Sequence, residues 1–246
     1  MEQLPDLAFI GLLAASFVGS FMTVALGIGG GAFLLAIMAS FMPPAALIPV
    51  HGMIQLGSNA TRAALLFRHI HRPPFLAFLT GTIVGVLIGG RVVVDLPPAL
   101  IQIGVGLFVG WSILFKPPKW LNTSPVTVGA FSSFLTMFFG ATGAFVANYV
   151  KTLNLGRQSH AATHGTFMTL QHLCKVGAFF VLGFSFSPWL PFIAAMISAG
   201  FIGTLVGRLV LVRMTDSIFK RALDIVLLLI SARLIFVGLG QLMQTR

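Results

Sequence analysis

Two stretches of the 246-residue sequence carry polar side chains at spacings that suit the binding of a small anion. The first, residues 45–67, holds four of them at intervals of four, four and three: His51, Gln55, Asn59 and Arg62. Residues three or four apart lie on one face of an α-helix, so these side chains would form a single stripe. Amide and imidazole groups beside a guanidinium supply both hydrogen bonds and positive charge, which an anion requires.

The second stretch, residues 159–182, repeats the pattern at the same intervals: His164, Met168, His172 and Lys175, with Gln171 beside His172. Both stretches are otherwise apolar and long enough to cross a bilayer, where a central cation costs about 2.5–3.5 kcal/mol. The stripes should therefore face the protein interior, with Arg62 and Lys175 attracting the anion. Snorkelling of these two side chains to the membrane surface is the alternative.

Three histidines of the stripes, His51, His164 and His172, are candidates for proton coupling, because histidine changes charge near neutral pH. A hydrogen bond between packed helices is the alternative for His51 and His164. His172, Gln171 and Asn59 lie closer to the middle of their segments and could donate to a ligand or bond one helix to another. The sequence leaves these roles open.

Two glycine-rich runs supply a further kind of donor. The run LGIGGGAF at 26–33 contains Gly27, Gly29, Gly30 and Gly31, and the run GATGAF at 140–145 contains Gly140, Thr142 and Gly143. Glycine supports a helix poorly and lets backbone approach a ligand closely. If short half-helices start after Gly31 and Gly143, their free N–H groups would point at the centre and attract an anion. Close packing of helices is the alternative.

The remaining polar residues argue against catalysis and metal binding. Asp224 is the only carboxylate expected inside an apolar segment, so paired acids and a carboxylate cage for a cation are absent from the sequence pattern. Cys174 is the only cysteine, which excludes a disulfide framework and a thiolate cluster. We predict no catalytic residues, no metal and no cofactor.

Composition identifies the class of protein. The chain is 57% hydrophobic and 8% charged, with continuous apolar runs, which predicts an all-α polytopic membrane protein. Its net charge of +10 lies mostly in short loops, so it indicates membrane topology and not nucleic-acid binding. Pro-Pro pairs and basic breaks delimit eight segments: 7–41, 45–67, 74–92, 99–115, 125–150, 159–182, 188–207 and 217–242.

The two halves of the chain resemble each other. GSFMTVALG at 19–27 aligns with SSFLTMFFG at 132–140, and His51-Gly52 aligns with His164-Gly165, both at an offset of 113 residues. We predict two transmembrane repeats, 1–120 and 121–246, within one integral membrane unit.

Charge counting gives their orientation. If each glycine-broken segment is a re-entrant hairpin and the other six segments cross once, ten basic residues fall on one face and only Arg91 and Arg246 on the other. This distribution obeys the positive-inside rule, whereas single crossings of the broken segments do not. A hairpin plus three crossings is an odd unit, so the second repeat would be inverted. Both termini would then lie outside the cytoplasm.

The motifs also resemble a known family. GIGGGAF at 27–33, Pro43-Pro44, the polar second helix before RHIHR, and GATGAF before LNLGRQSHAATHG are similar to the TauE/SafE sulfite exporter family. The resemblance covers nearly the whole chain. It implies transport of small sulfur-containing anions, such as sulfite, thiosulfate or organosulfonates, across a bacterial inner membrane. Members commonly carry an amide-rich patch before a lysine, which here is Gln171-His172 before Lys175.

We therefore predict a secondary transporter of a small anion that works by alternating access, with the glycine runs and both polar stripes as the binding site. The expected partners are the anion and the bilayer, and a second copy of the chain is a candidate partner. A non-transporting membrane subunit and an intramembrane enzyme are the alternatives.

Overall fold

The computed structural model describes residues 6–26, 29–93, 97–115, 118, 120, 124–140, 142–210 and 217–244. Within these residues the chain is helical and has no strand. The described α-helices are α1 (Asp6–Leu26), α2 (Gly30–Met38), α3 (Pro44–Leu65), α4 (Phe75–Val93), α5 (Pro98–Leu114), α6 (Pro125–Phe139), α7 (Gly143–Thr152), α8 (Arg157–Val181), α9 (Leu190–Val210) and α10 (Ser217–Gln244). The helices agree with the eight predicted segments, except that both glycine-broken segments are divided into two helices.

Prolines mark the starts of three helices. Pro44, Pro98 and Pro125 stand in the first turn of α3, α5 and α6, where a missing N–H group costs nothing. Before Pro125, the Ser124 hydroxyl accepts a hydrogen bond from the Val126 N–H at 3.2 Å and caps α6. The Pro-Pro pairs therefore end one segment and start the next, as their chemistry predicts.

The chain turns back between α1 and α2. Gly29 has φ of 98°, a left-handed conformation that glycine adopts readily. Gly30 lies directly against Gly19, because a Cβ on Gly30 would overlap the Gly19 carbonyl oxygen. In one continuous helix these two residues would be about 16 Å apart, at 1.5 Å per residue. The chain therefore folds back after α1, so that the start of α2 lies beside Gly19 of α1.

The chain also folds back at the break between α6 and α7. Gly140 ends α6 with φ of 70°. The Gln171 Nε2 donates to the Ser132 carbonyl oxygen at 3.0 Å and to the Thr142 hydroxyl at 2.6 Å, so Thr142 lies near Ser132. A continuous helix would separate these two residues by about 15 Å. Ser132 and Gly19 occupy equivalent positions of the two halves, 113 residues apart.

Two pairs of equivalent helices pack antiparallel. In the pair α3 and α8, Gly52 lies beside Lys175 while Gly165 lies beside Arg62, so residue numbers increase along α3 as they decrease along α8. In the pair α5 and α10, Gly106 contacts Ser231 and Gly238 contacts Ile103, which gives the same opposition.

Two further pairs pack parallel through glycine. Gly81 contacts the Val126 carbonyl and Gly89 the Phe134 carbonyl, so α4 and α6 run in the same direction. Likewise, Ser16 donates to the Met196 carbonyl at 2.6 Å and Gly207 contacts Phe21, so α1 and α9 run together. Suppose that α1–α5 are exchanged, in order, with α6–α10. The pair α1 and α9 then becomes the pair α6 and α4, and each antiparallel pair is exchanged with itself. These four helix pairs are therefore unchanged as a set by this exchange.

Hydropathy identifies the protein as multi-pass. Three helices of the described part are long and apolar enough to cross a membrane, at Asp6–Ala25, Phe75–Val93 and Ser187–Leu209. Shorter apolar helices lie at Ala99–Trp111, Pro125–Phe139 and Leu227–Met243. Large apolar side chains cover the outside, as on α8, where Phe180 is 71% exposed. Polar stripes occupy the interior, which is the arrangement that a bilayer imposes.

Candidate functional site

The predicted polar stripes face each other where α3 crosses α8. Every polar member is buried: His51, Gln55, Asn59, Arg62, His164, Gln171, His172 and Lys175. Arg62 is 2% exposed and Lys175 is fully buried, so neither side chain snorkels to the surface. The crossing therefore buries both basic side chains between α3 and α8, with Arg62 beside Gly165 and Lys175 beside Gly52.

Arg62 has its own partners inside the protein. Its Nη2 donates to the Asn59 Oδ1 at 2.6 Å and lies 3.0 Å from the His164 Nδ1, and its Nη1 donates to the Thr23 carbonyl at 3.4 Å. These contacts join α1, α3 and α8. Arg62 therefore connects the two halves of the chain through hydrogen bonds.

Lys175, which stands at the position equivalent to Arg62, has no such partners. Its Nζ is buried and makes no hydrogen bond to the described residues. The aliphatic part of the side chain lies against Gly52, where an added Cβ would be 2.6 Å from the Lys175 Cε. A buried ammonium is costly unless something pairs with it, so this atom is where an anion would be stabilised most.

His51 and His164 hold the starts of the two half-helices. The His51 Nε2 lies 3.0 Å from the Gly31 carbonyl oxygen, and the His164 Nε2 lies 3.1 Å from the Gly143 carbonyl oxygen. A carbonyl only accepts, so Nε2 carries the hydrogen in both rings. The neutral His164 then presents an Nδ1 lone pair to Arg62. These contacts are the helix-packing bonds that the sequence left open, and they assign each histidine to a half-helix.

Amide side chains extend the network. The Asn59 Nδ2 donates to the Gln55 carbonyl at 2.7 Å and to the Gln55 Oε1 at 3.2 Å. His172 lies next to His51, with ring centroids 6.3 Å apart in an edge-on arrangement, and its Nδ1 is buried without a partner. In the first stripe the side-chain oxygens of Gln55 and Asn59 are therefore satisfied, and the His51 Nδ1 and the Arg62 Nε are buried without partners among the described residues. In the second stripe, Gln171, His172 and Lys175 each keep such an atom.

Both glycine runs reach the stripes, although α2 starts at Gly30 and α7 at Gly143, and not after Gly31 and Gly143. An added Cβ would lie 3.2 Å from the Gln55 Nε2 at Gly31, and 3.3 Å from the His51 Nδ1 at Gly140. Gly30 allows α2 to contact α1 closely, which agrees with the alternative that these glycines pack helices together. Gly29 forms the turn and Thr142 receives the Gln171 amide. Gly27 lies outside the described residues.

Four site residues were missed from the sequence. Gly52 and Gly165 give room to the cation of the opposite half, since a Cβ on Gly165 would lie 3.0 Å from the Arg62 Nε. The repeated His-Gly dipeptide was the signal for them, but it was interpreted only as a mark of duplication. Ser132 and Ser133 have buried hydroxyls without partners among the described residues, and the Ser132 carbonyl accepts from Gln171; no sequence spacing indicated them.

We expect Gly52→Ala to weaken anion binding by about fivefold to tenfold while the protein stays folded. The new methyl group must displace the flexible end of Lys175, which can move at small cost to stability but leaves its place in the site. Equilibrium binding of sulfite measures the change. Gly177→Ala is the matched control, because nothing lies within 4 Å of the added Cβ. Equal affinity in both variants would contradict this role of Gly52.

The fold and the site define a class: a multi-pass helical membrane protein with buried cations at the crossing of two broken halves. The chain belongs to the sulfite exporter TauE/SafE family, whose pattern matches residues 12–234. This is a family of membrane permeases for sulfite and related anions. No curated protein and no solved structure shows a significant match to the chain.

Proposed function

We propose that this protein is a secondary transporter for a small sulfur oxyanion or organosulfonate, and that Lys175 is the residue that pairs with the anion. One observation carries the proposal: the Lys175 amino group is fully buried beside Gly52, between α3 and α8, and has no hydrogen-bond partner among the described residues. An anion there would gain a charge-assisted hydrogen bond in a medium of low dielectric constant.

Neighbouring groups suit an oxyanion. Unpartnered polar atoms of His172, Ser132 and Ser133 lie on the two helices that meet at Gln171. The half-helices α2 and α7 begin without a side-chain cap, so their N-terminal N–H groups add positive potential to the same region. Arg62 contributes charge at longer range, since its hydrogen bonds are directed to protein atoms.

The packing supports alternating access between inverted repeats, 1–120 and 121–246. Equivalent helices that pack antiparallel, as α3 with α8 and α5 with α10, are what a two-fold axis in the membrane plane generates. The return of the chain after α1 and after α6, which brings Gly30 beside Gly19 and Thr142 near Ser132, supports two re-entrant hairpins. Rocking of one repeat against the other around Lys175 would expose the site to each side in turn.

With two hairpins and six crossings, both termini lie outside and the basic loops lie in the cytoplasm of a bacterial inner membrane. An inside-negative potential then supplies about 2.3 kcal/mol per charge per 100 mV for outward movement of an anion. Export therefore needs no coupling ion, although His51, His164 and His172 remain candidates for proton coupling.

Labelling of single cysteines from outside intact cells tests whether the second repeat is inverted relative to the first. In a Cys174→Ala background, Arg68→Cys marks the loop after α3 and Ser185→Cys marks the loop after α8; both positions are exposed. Inverted repeats place these loops on opposite sides, so a membrane-impermeant maleimide should label only Ser185→Cys from outside. Labelling of both from the same side would contradict the inversion.

Transport in proteoliposomes tests the function itself. Purified protein should accelerate uptake of radiolabelled sulfite, thiosulfate or methanesulfonate over protein-free liposomes. Uptake should rise when a potassium gradient with valinomycin makes the interior positive, because an anion follows the potential. A flux that equals that of protein-free liposomes for every one of these anions would reject the proposal.

A further inference from the structure

The two halves of the site differ in how their buried polar atoms are used. In the first stripe, the side-chain oxygens of Gln55 and Asn59 accept hydrogen bonds inside the protein. In the second, Gln171 and Lys175 each keep a buried polar atom without a partner among the described residues. The unpartnered atoms include a hydrogen-bond acceptor as well as the Lys175 Nζ. A ligand that satisfies the acceptor must carry a hydrogen-bond donor.

Gln171 presents an acceptor that nothing in the described structure satisfies. Its Nε2 donates to the Ser132 carbonyl, which can only accept, so the orientation of the amide is fixed by chemistry. The Gln171 Oε1 consequently points elsewhere, is buried, and has no donor. Gln171 and Lys175 are four residues apart on α8, which places their Cβ atoms about 5–6 Å apart on one helix face.

His51 supplies a second acceptor from the opposite helix. Because its Nε2–H donates to the Gly31 carbonyl, the Nδ1 of the neutral ring carries a lone pair. This Nδ1 is buried without a partner, next to the His172 ring and to Gly140. The neighbouring residue, Gly52, contacts Lys175. The Lys175 amine and the two acceptors thus belong to the helices α3 and α8, which face each other here.

We propose that the site selects a monoanion that carries a hydrogen-bond donor, such as hydrogen sulfite, over anions with acceptor atoms alone, and that Gln171 is the residue that determines this specificity. The anionic oxygens pair with Lys175, and the donor reaches the Gln171 Oε1. An anion without a donor leaves buried acceptors unpaired, which sites built around hydrogen bonds reject strongly. The inference rests on the proposed function, since it concerns the same site.

Sulfamate and methanesulfonate test the selection. Both are singly charged sulfonates of similar shape at neutral pH, but sulfamate has an NH₂ group where methanesulfonate has CH₃. Each is added as a competitor of radiolabelled sulfite uptake into proteoliposomes with the full chain. We expect sulfamate to inhibit at a concentration at least about tenfold lower than methanesulfonate. Equal inhibition by the two would overturn the selection and leave the transport function standing.

Variants locate the selecting residue. Gln171→Met removes the Oε1 acceptor and should reduce the preference for sulfamate to less than about threefold. Gln102→Met is the matched control: its Oε1 is also buried without a partner among the described residues, but Gln102 stands on α5 and not on a striped helix. This variant should keep the wild-type ratio. If Gln171→Met also keeps the ratio, the assignment to Gln171 is wrong. Absence of any sulfite uptake by the wild type overturns the proposed function and this inference together.

Discussion

Lys175→Met should lower the affinity for sulfite by roughly 30-fold or more, equivalent to about 2 kcal/mol, without unfolding the protein. Methionine has a similar length and fills the same space beside Gly52, but it has no charge and no donor. Removing an unpaired buried ammonium also removes its desolvation penalty, so the melting temperature should stay constant or rise. Sulfite binding and thermal unfolding in detergent measure the two effects separately.

Lys151→Met is the matched control for this change. Lys151 stands near the end of α7 with an exposed side chain, outside the crossing of α3 and α8. Its replacement should alter sulfite affinity by less than about twofold, since exposed charges are screened. A Lys175→Met protein that binds sulfite as the wild type does, or that loses affinity only because it unfolds, would contradict the assignment.

Arg62→Met should have the opposite profile, with a large loss of stability and a smaller loss of affinity. The change removes the hydrogen bonds to Asn59, His164 and Thr23 and leaves their acceptors buried. We expect the free energy of unfolding to fall by about 2–4 kcal/mol and the melting temperature by roughly 5–15 °C. Thermal denaturation of the purified protein in detergent checks this.

Two further substitutions sharpen the test of Arg62. Arg62→Lys should recover little of the loss, because one ammonium cannot reproduce the planar geometry that serves three acceptors. Arg68→Met is the surface control: Arg68 is exposed and lies over the Phe67 ring, and its loss should change stability by no more than about 0.5 kcal/mol. A stable Arg62→Met protein that has lost all affinity for sulfite would show that Arg62 binds the anion directly.

The helices could be predicted from the sequence because their limits depend on local chemistry. Proline at the start of a helix and long apolar runs act within a few residues, so Pro44, Pro98 and Pro125 located their helices well. The chain breaks at Gly29 and Gly140 were found for the same reason, since their backbone conformations favour glycine. Helix direction is not local, but charge in the loops and parity of the crossings constrained it.

The site was less predictable, because helix periodicity shows which residues share a face and not what lies opposite. The two stripes looked equivalent in sequence, and Arg62 and Lys175 stand at equivalent positions. Only the crossing of α3 and α8 determines that Arg62 meets Asn59 and His164 while Lys175 meets no hydrogen-bond partner in the described structure. Two side chains that look alike in sequence thus differ in structure: Arg62 is hydrogen-bonded to other helices, whereas the Lys175 Nζ has no partner among the described residues.

The most direct test of the central claim is the stoichiometry of sulfite binding, measured by isothermal titration calorimetry on the purified full-length chain. We expect one sulfite per chain in the wild type and in Lys151→Met, and binding weaker by roughly 30-fold or more in folded Lys175→Met. Two sulfites per chain, or undiminished binding by Lys175→Met, would contradict this claim.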